Sequence, residues 1–79
     1  MDEKIEGFIL KKMFQHGYWG AKHTSFDNLQ KGLPSHARGD AKAVAKKLIK
    51  EDILLAKPTY YGLEVSLNPK KMEEILKLV

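Results

Sequence analysis

An α+β fold is predicted for this chain: three helices, a two-stranded β hairpin and a C-terminal helix, in one domain spanning residues 1–79. Three observations predict it. A lysine-faced amphipathic segment follows Ser35, two short apolar runs flank Pro58-Thr59-Tyr60-Tyr61-Gly62, and Asn68-Pro69 restarts a helix. Seventy-nine residues fit a single domain. A chain of that size buries only ~60–65% of the surface its unfolded form exposes, which leaves little room for a deep enzyme cleft.

Between Asp2 and His16 the apolar residues Ile5, Phe8, Ile9, Leu10, Met13 and Phe14 recur at three- and four-residue spacing, and Gly17 is placed to end that helix. Gly7 lies inside it and weakens it by ~1 kcal/mol relative to alanine, so tertiary contacts or close helix packing are expected there. Gly17-Tyr18-Trp19-Gly20 reads as a turn and Ala21 to Thr24 as a short extended piece, with Trp19 a boundary packing residue rather than a stacking platform. Thr24-Ser25-Phe26-Asp27 reads as a capping box, threonine accepting an amide and Asp27 reaching back. The helix it opens has Phe26 and Leu29 pointing inward and Gly32 at its end.

Proline biases the preceding residue away from helical angles, so Gly32-Leu33-Pro34 makes a sharp turn. Ser35 then caps a third helix, or Asp40 does and residues 35–39 form an ordered loop. At 100° per residue Ala37, Ala41, Val44 and Leu48 share one stripe, while Gly39, Ala43, Lys46 and Lys50 fall opposite, beside His36 and Lys42. Ile53 to Lys57 and Leu63 to Leu67 are the strands of the hairpin. Leu63, Val65 and Leu67 alternate with Glu64 and Ser66 as a half-buried strand requires. Asn68 caps the last helix with Pro69 at its first position, and Met72, Ile75, Leu76 and Val79 form its apolar stripe.

The charge is unevenly placed. Residues 1–21 and residues 58–79 each sum to zero, so the whole formal excess of +4 lies in residues 22–57. A neutral scaffold around a basic middle is the footprint of a polyanion binder. Thirteen lysines stand against the single Arg38, and the mixture of lysine with many acids resembles heat-adapted proteins. The absence of cysteine removes disulfides and thiolate chemistry and fits a reducing interior. No apolar stretch approaches the ~20 residues a membrane crossing needs, and Met1-Asp2-Glu3-Lys4 lacks a signal-peptide pattern, so a cytoplasmic protein without membrane partners is expected.

Catalysis and cofactors are not expected. His16, His23 and His36 are separated by seven and thirteen residues, which matches no compact metal-ligand motif. Ser35, His36 and Asp40 form no triad, because adjacent side chains diverge on a helix and no nucleophile elbow or oxyanion loop accompanies them.

The order of helix, extended piece, helix, turn, helix, two-stranded wing and helix resembles the winged helix-turn-helix family, especially its small stand-alone archaeal members. The resemblance covers about residues 4–78. It is carried by His23-Thr24-Ser25-Phe26-Asp27-Asn28, by Leu33-Pro34-Ser35-His36-Ala37-Arg38-Gly39 and by the run from Lys57 to Pro69. The resemblance implies double-stranded DNA binding, as a small transcriptional regulator or chromatin-type factor, with residues 35–50 as reading helix in the major groove and residues 57–62 as wing. The candidate DNA contacts are Thr24, Ser25, Ser35, His36, Arg38, Lys42, Lys46, Lys50, Lys57 and Tyr60. One of Tyr60 and Tyr61 is expected to pack on the sheet and the other to face out. His36, near a helix amino terminus, is placed to meet a phosphate when protonated.

Family reading helices usually offer arginine, asparagine or glutamine to base edges, whereas this outward face is mostly lysine, which suits phosphates as a point charge. Modest sequence specificity follows, or a partner subunit that supplies the reading. The alternative function is a protein- or RNA-interaction module within a larger complex, its lysines serving solubility. A homodimer through the C-terminal helix is also expected, because Leu78 adds apolar surface outside the stripe.

Overall fold

The computed structural model describes residues 2–79; Met1 and the side chain of Asp2, part of the acidic start, lie outside the described residues. The elements run α1 (Asp2–His16), β1 (Thr24–Ser25), α2 (Phe26–Gln30), α3 (Arg38–Lys50), β2 (Leu54–Thr59), β3 (Gly62–Leu67) and α4 (Met72–Leu78). Single 3-10 turns at Ser35–Ala37 and Pro69–Lys71 lead into α3 and α4. The class is α+β, as the sequence predicts, but the sheet has three strands rather than two.

The third strand is β1. It pairs antiparallel with β3, which also pairs antiparallel with β2, giving the order β1-β3-β2. Two residues make too short a run to read from alternation, and the extended piece begins at Thr24 rather than Ala21. Ahead of β1, Trp19 forms an isolated parallel bridge with Leu67, through Leu67 N to Tyr18 O (2.7 Å) and Gly20 N to Leu67 O (3.0 Å).

The helix ends follow from hydrogen-bond accounting. Gly17, at φ +68°, closes α1 in the expected way: Tyr18 N–H reaches Met13 O and Gly17 N–H reaches Phe14 O, both at 3.1 Å. The same double bond closes α3, from Ile53 N to Leu48 O (3.0 Å) and Asp52 N to Ile49 O (3.1 Å), but here the left-handed residue is Asp52, at φ +63°. At the start of α2 the cap is Ser25, whose Oγ accepts from Asn28 N at 3.2 Å. The box predicted on Thr24 and Asp27 does not form. Thr24 Oγ1 instead accepts from the Asn28 side-chain amide at 3.0 Å, and Asp27 is exposed. Only five residues long, α2 relies on Lys12 of α1, whose Nζ donates to Asn28 O and Lys31 O at 3.0 Å each.

Neither proposed start of the third helix holds. Ser35 begins a 3-10 turn without a side-chain cap, and α3 proper starts at Arg38 after Ala37, also without one. Asn68 caps the 3-10 turn Pro69–Lys71, its Oδ1 accepting from Lys70 N (3.0 Å) while its amide donates to Asp52 O (2.7 Å), with Pro69 following; α4 itself starts after Lys71 without a side-chain cap.

The core gathers Ile5, Ile9, Leu10 and Met13 of α1, Phe26 and Leu29 of α2, Ala41, Val44, Ala45 and Leu48 of α3, Ile53 and Leu54, Val65 and Leu67 of β3, and Ile75 of α4. Three details depart from the periodic reading. Leu63 lies on the inward face with Val65 but is 37% exposed, one residue from the hairpin turn and at the edge of an open apolar notch against Phe26 and Ile49. Ser66 is buried on the central strand despite its outward phase. Of the α4 stripe only Ile75 is buried, while Met72, Leu76 and Val79 are exposed with Leu78. Gly7 has no atom within 4 Å of where a Cβ would stand, so close packing does not require glycine there. Trp19 sits at the boundary, packed partly against the core and edge-on to Phe14 at 6.2 Å. Among the described residues no helix is long and apolar enough to cross a membrane.

Candidate nucleic-acid interface

The stripe that buries Ala41, Val44, Ala45 and Leu48 fixes what α3 shows to solvent. Arg38, Lys42, Lys46 and Lys50 follow one another at intervals of four residues and all are exposed. Rows spaced by four drift only slowly around a helix, so these cations form a ridge along its outer side. Among the described residues, the ion pairs within 4.0 Å involve other groups: His23 with Glu64, Lys47 with Glu6, and Lys71 with Glu74. Among the described residues the ridge therefore carries positive charge with no carboxylate within 4.0 Å, whereas Lys12 and Lys47 are engaged within the fold.

The amino-terminal end of the ridge opens into a cleft of about 540 Å³ with three walls. Arg38, Gly39 and Lys42 form the α3 wall; Ser25, Asp27 and Gln30 belong to the α2 side; Tyr61, Gly62 and Leu63 come from the hairpin. Farther along, Lys42 and Lys46 flank a small apolar notch with Phe26, Ala45, Ile49 and Leu63. The hairpin thus stands over the same side of α3 that bears the cations.

The hairpin tip is unlike the expectation of one packed and one exposed tyrosine. Register pairs Thr59 with Gly62, leaving Tyr60 and Tyr61 as the whole turn. Their side chains are 96% and 95% exposed and touch each other edge-on, with ring centroids 5.5 Å apart. A two-residue turn closes before either ring can fold back onto the sheet. Thr59 holds it, Oγ1 donating to Gly62 O at 2.7 Å and accepting from Tyr61 N at 3.3 Å, and Gly62 adopts φ +130°, a conformation closed to residues with a Cβ.

The predicted contact residues separate into groups. Arg38, Lys42, Lys46 and Lys50 share the ridge, with exposed Ser35 and His36 in the turn before it and Tyr60 at the hairpin tip. Ser25 reaches the cleft wall, but its hydroxyl is occupied as a cap. Thr24 is buried and bonded to Asn28, so it presents nothing to a ligand. Lys57 is in register with Glu64, on the face of the sheet opposite to Val65, beside the His23–Glu64 contact of 2.9 Å. It belongs to the outer face of the sheet and not to the cleft. Asp27, Gln30 and Tyr61 were absent from the candidate set, and only the fold joins them to Arg38. Among the described residues no group of three or more His, Asp or Glu side chains is placed to hold a metal ion.

Comparison of the chain with family models, with curated proteins and with solved structures gave no match.

Proposed function

We propose that the chain is a winged helix-turn-helix protein that binds double-stranded DNA, α3 lying in the major groove and the β2–β3 hairpin acting as the wing. The observation that carries this reading is the ridge Arg38–Lys42–Lys46, exposed, without a carboxylate within 4.0 Å among the described residues, and overhung by a hairpin whose tip is aromatic. An α-helix with its side chains is about 10–12 Å across, which fits the ~12 Å width of the major groove. Lysine dominates the ridge, so phosphate contact supplies most of the affinity and sequence preference is modest. A small transcriptional regulator or chromatin-type factor fits that balance.

An NMR titration with random-sequence duplex DNA tests the reading. Shift changes clustered at residues 35–50 and 59–63 are expected, and the absence of any change at low salt would reject DNA binding. A second reading, a protein-interaction module within a larger complex, draws on the exposed Met72, Leu76, Leu78 and Val79 of α4 and its end. Under that reading the titration leaves α3 unmoved.

A further inference from the structure

We propose that the three-walled cleft accepts one unpaired nucleotide at the edge of a bound duplex, its base stacked on Tyr61 and its phosphate held by Arg38 and Lys42. This rests on the duplex-binding reading and adds the class of substrate: duplex bordered by single strand rather than continuous duplex.

The tyrosines carry the argument. An aromatic side chain buries 150–250 Å² when it finds a partner, yet Tyr60 and Tyr61 are almost fully exposed and touch each other in a single edge-to-face contact. Their turn is not loose. The two hydrogen bonds of the Thr59 hydroxyl and the backbone of Gly62 fix it before any ligand arrives, so little ordering cost is incurred on contact.

Position decides what the ring can bind. Tyr61 shares the cleft with Arg38 and Lys42, two cations with no carboxylate within 4.0 Å among the described residues. An aromatic platform beside a cationic track is the arrangement that holds single-stranded nucleic acid. In a continuous duplex both faces of each base are covered by its neighbours, so the face of Tyr61 gains nothing there beyond a contact to sugar or phosphate. An unpaired nucleotide offers both a bare base face and a phosphate. On the remaining wall Asp27 repels phosphate, which keeps the phosphate on the α3 side and leaves Asp27 and the Gln30 amide to meet the polar edge of the base.

The test compares a blunt duplex, the same duplex with a short single-stranded tail, and the tail strand alone, by fluorescence anisotropy at one salt concentration. 2-Aminopurine is placed as the first unpaired base. The tailed duplex is expected to bind about tenfold tighter than the blunt one, the value of one stacked base, with quenching of 2-aminopurine on binding. Tyr61→Leu, which keeps bulk and removes the π face, should abolish both the preference and the quenching, bringing the tailed duplex to the affinity that the same variant has for the blunt one; circular dichroism verifies its fold. Equal affinity for blunt and tailed duplex, a preference that survives Tyr61→Leu, or a free tail strand that binds as tightly as the tailed duplex would each overturn the inference and leave duplex binding standing. If no ligand binds with a salt-dependent affinity, the duplex-binding reading itself falls, and this inference with it.

Discussion

Replacing Lys42 and Lys46 together by alanine isolates the electrostatic part of binding. Both side chains are exposed on the α3 ridge, with no carboxylate within 4.0 Å among the described residues. Each phosphate neutralised on duplex DNA releases ~0.9 counterion, so the double variant should lower the slope of log affinity against log salt by up to about 1.8. Over a fourfold rise in salt, a slope difference of that size means the native protein loses about tenfold more affinity than the variant. The variant is weaker at low salt and the two converge as salt increases. Anisotropy titrations of a random-sequence duplex at four or five salt concentrations give both slopes. Lys47→Ala is the control: its ammonium lies 3.8 Å from Glu6, on the side of α3 toward α1, so the slope should not move. The exposed positions predict a stability change within about 0.5 kcal/mol for the double variant. An unchanged slope with an unchanged melting temperature refutes the assignment of this ridge to the binding surface.

Three further outcomes are expected. Gly7→Ala should stabilise the domain by up to ~1 kcal/mol, or roughly 4–8 °C in melting temperature, because the added Cβ meets open space within a helix; calorimetry showing a loss would mean that α1 needs glycine. Asp52→Gly should stabilise by about 1 kcal/mol in urea unfolding, since it removes left-handed strain at φ +63° and a negative charge at the C-terminal end of α3, while leaving the carbonyl that accepts from Asn68. Met72, Leu76, Leu78 and Val79 expose apolar surface on α4 and its end, so weak self-association is expected in sedimentation, lost in Leu76→Glu; two-fold pairing would set reading helices one duplex turn apart, ~34–36 Å. A monomer at high micromolar concentration, with and without DNA, removes the dimer.

The class of the fold and most of its elements were legible in the chain because they rest on local rules. The 3.6-residue stripes mark α1 and α3, Gly17 and Asn68-Pro69 mark ends, and two apolar runs around a turn mark the hairpin. The ridge was legible for the same reason: once Ala41, Val44 and Leu48 face inward, helix geometry alone sends Lys42 and Lys46 outward. Other features depended on partners distant in the chain. Thr24 and Ser25 become a strand only through Val65 and Glu64, forty residues later, which also buries Thr24 and removes it from the site. Lys57 is set apart from the cleft by strand register, since pairing with Glu64 on alternate phase turns it to the outer face of the sheet. The cap of α2 moved by one residue to Ser25 once Asn28 engaged Thr24 with its side chain. The cleft is the clearest case. Asp27, Arg38 and Tyr61 carry no pattern linking them, and only the docking of α2, α3 and the hairpin brings them together. Local periodicity determines which face of an element is wet; which wet faces meet is decided by long-range pairing, whose terms no local window of the sequence contains.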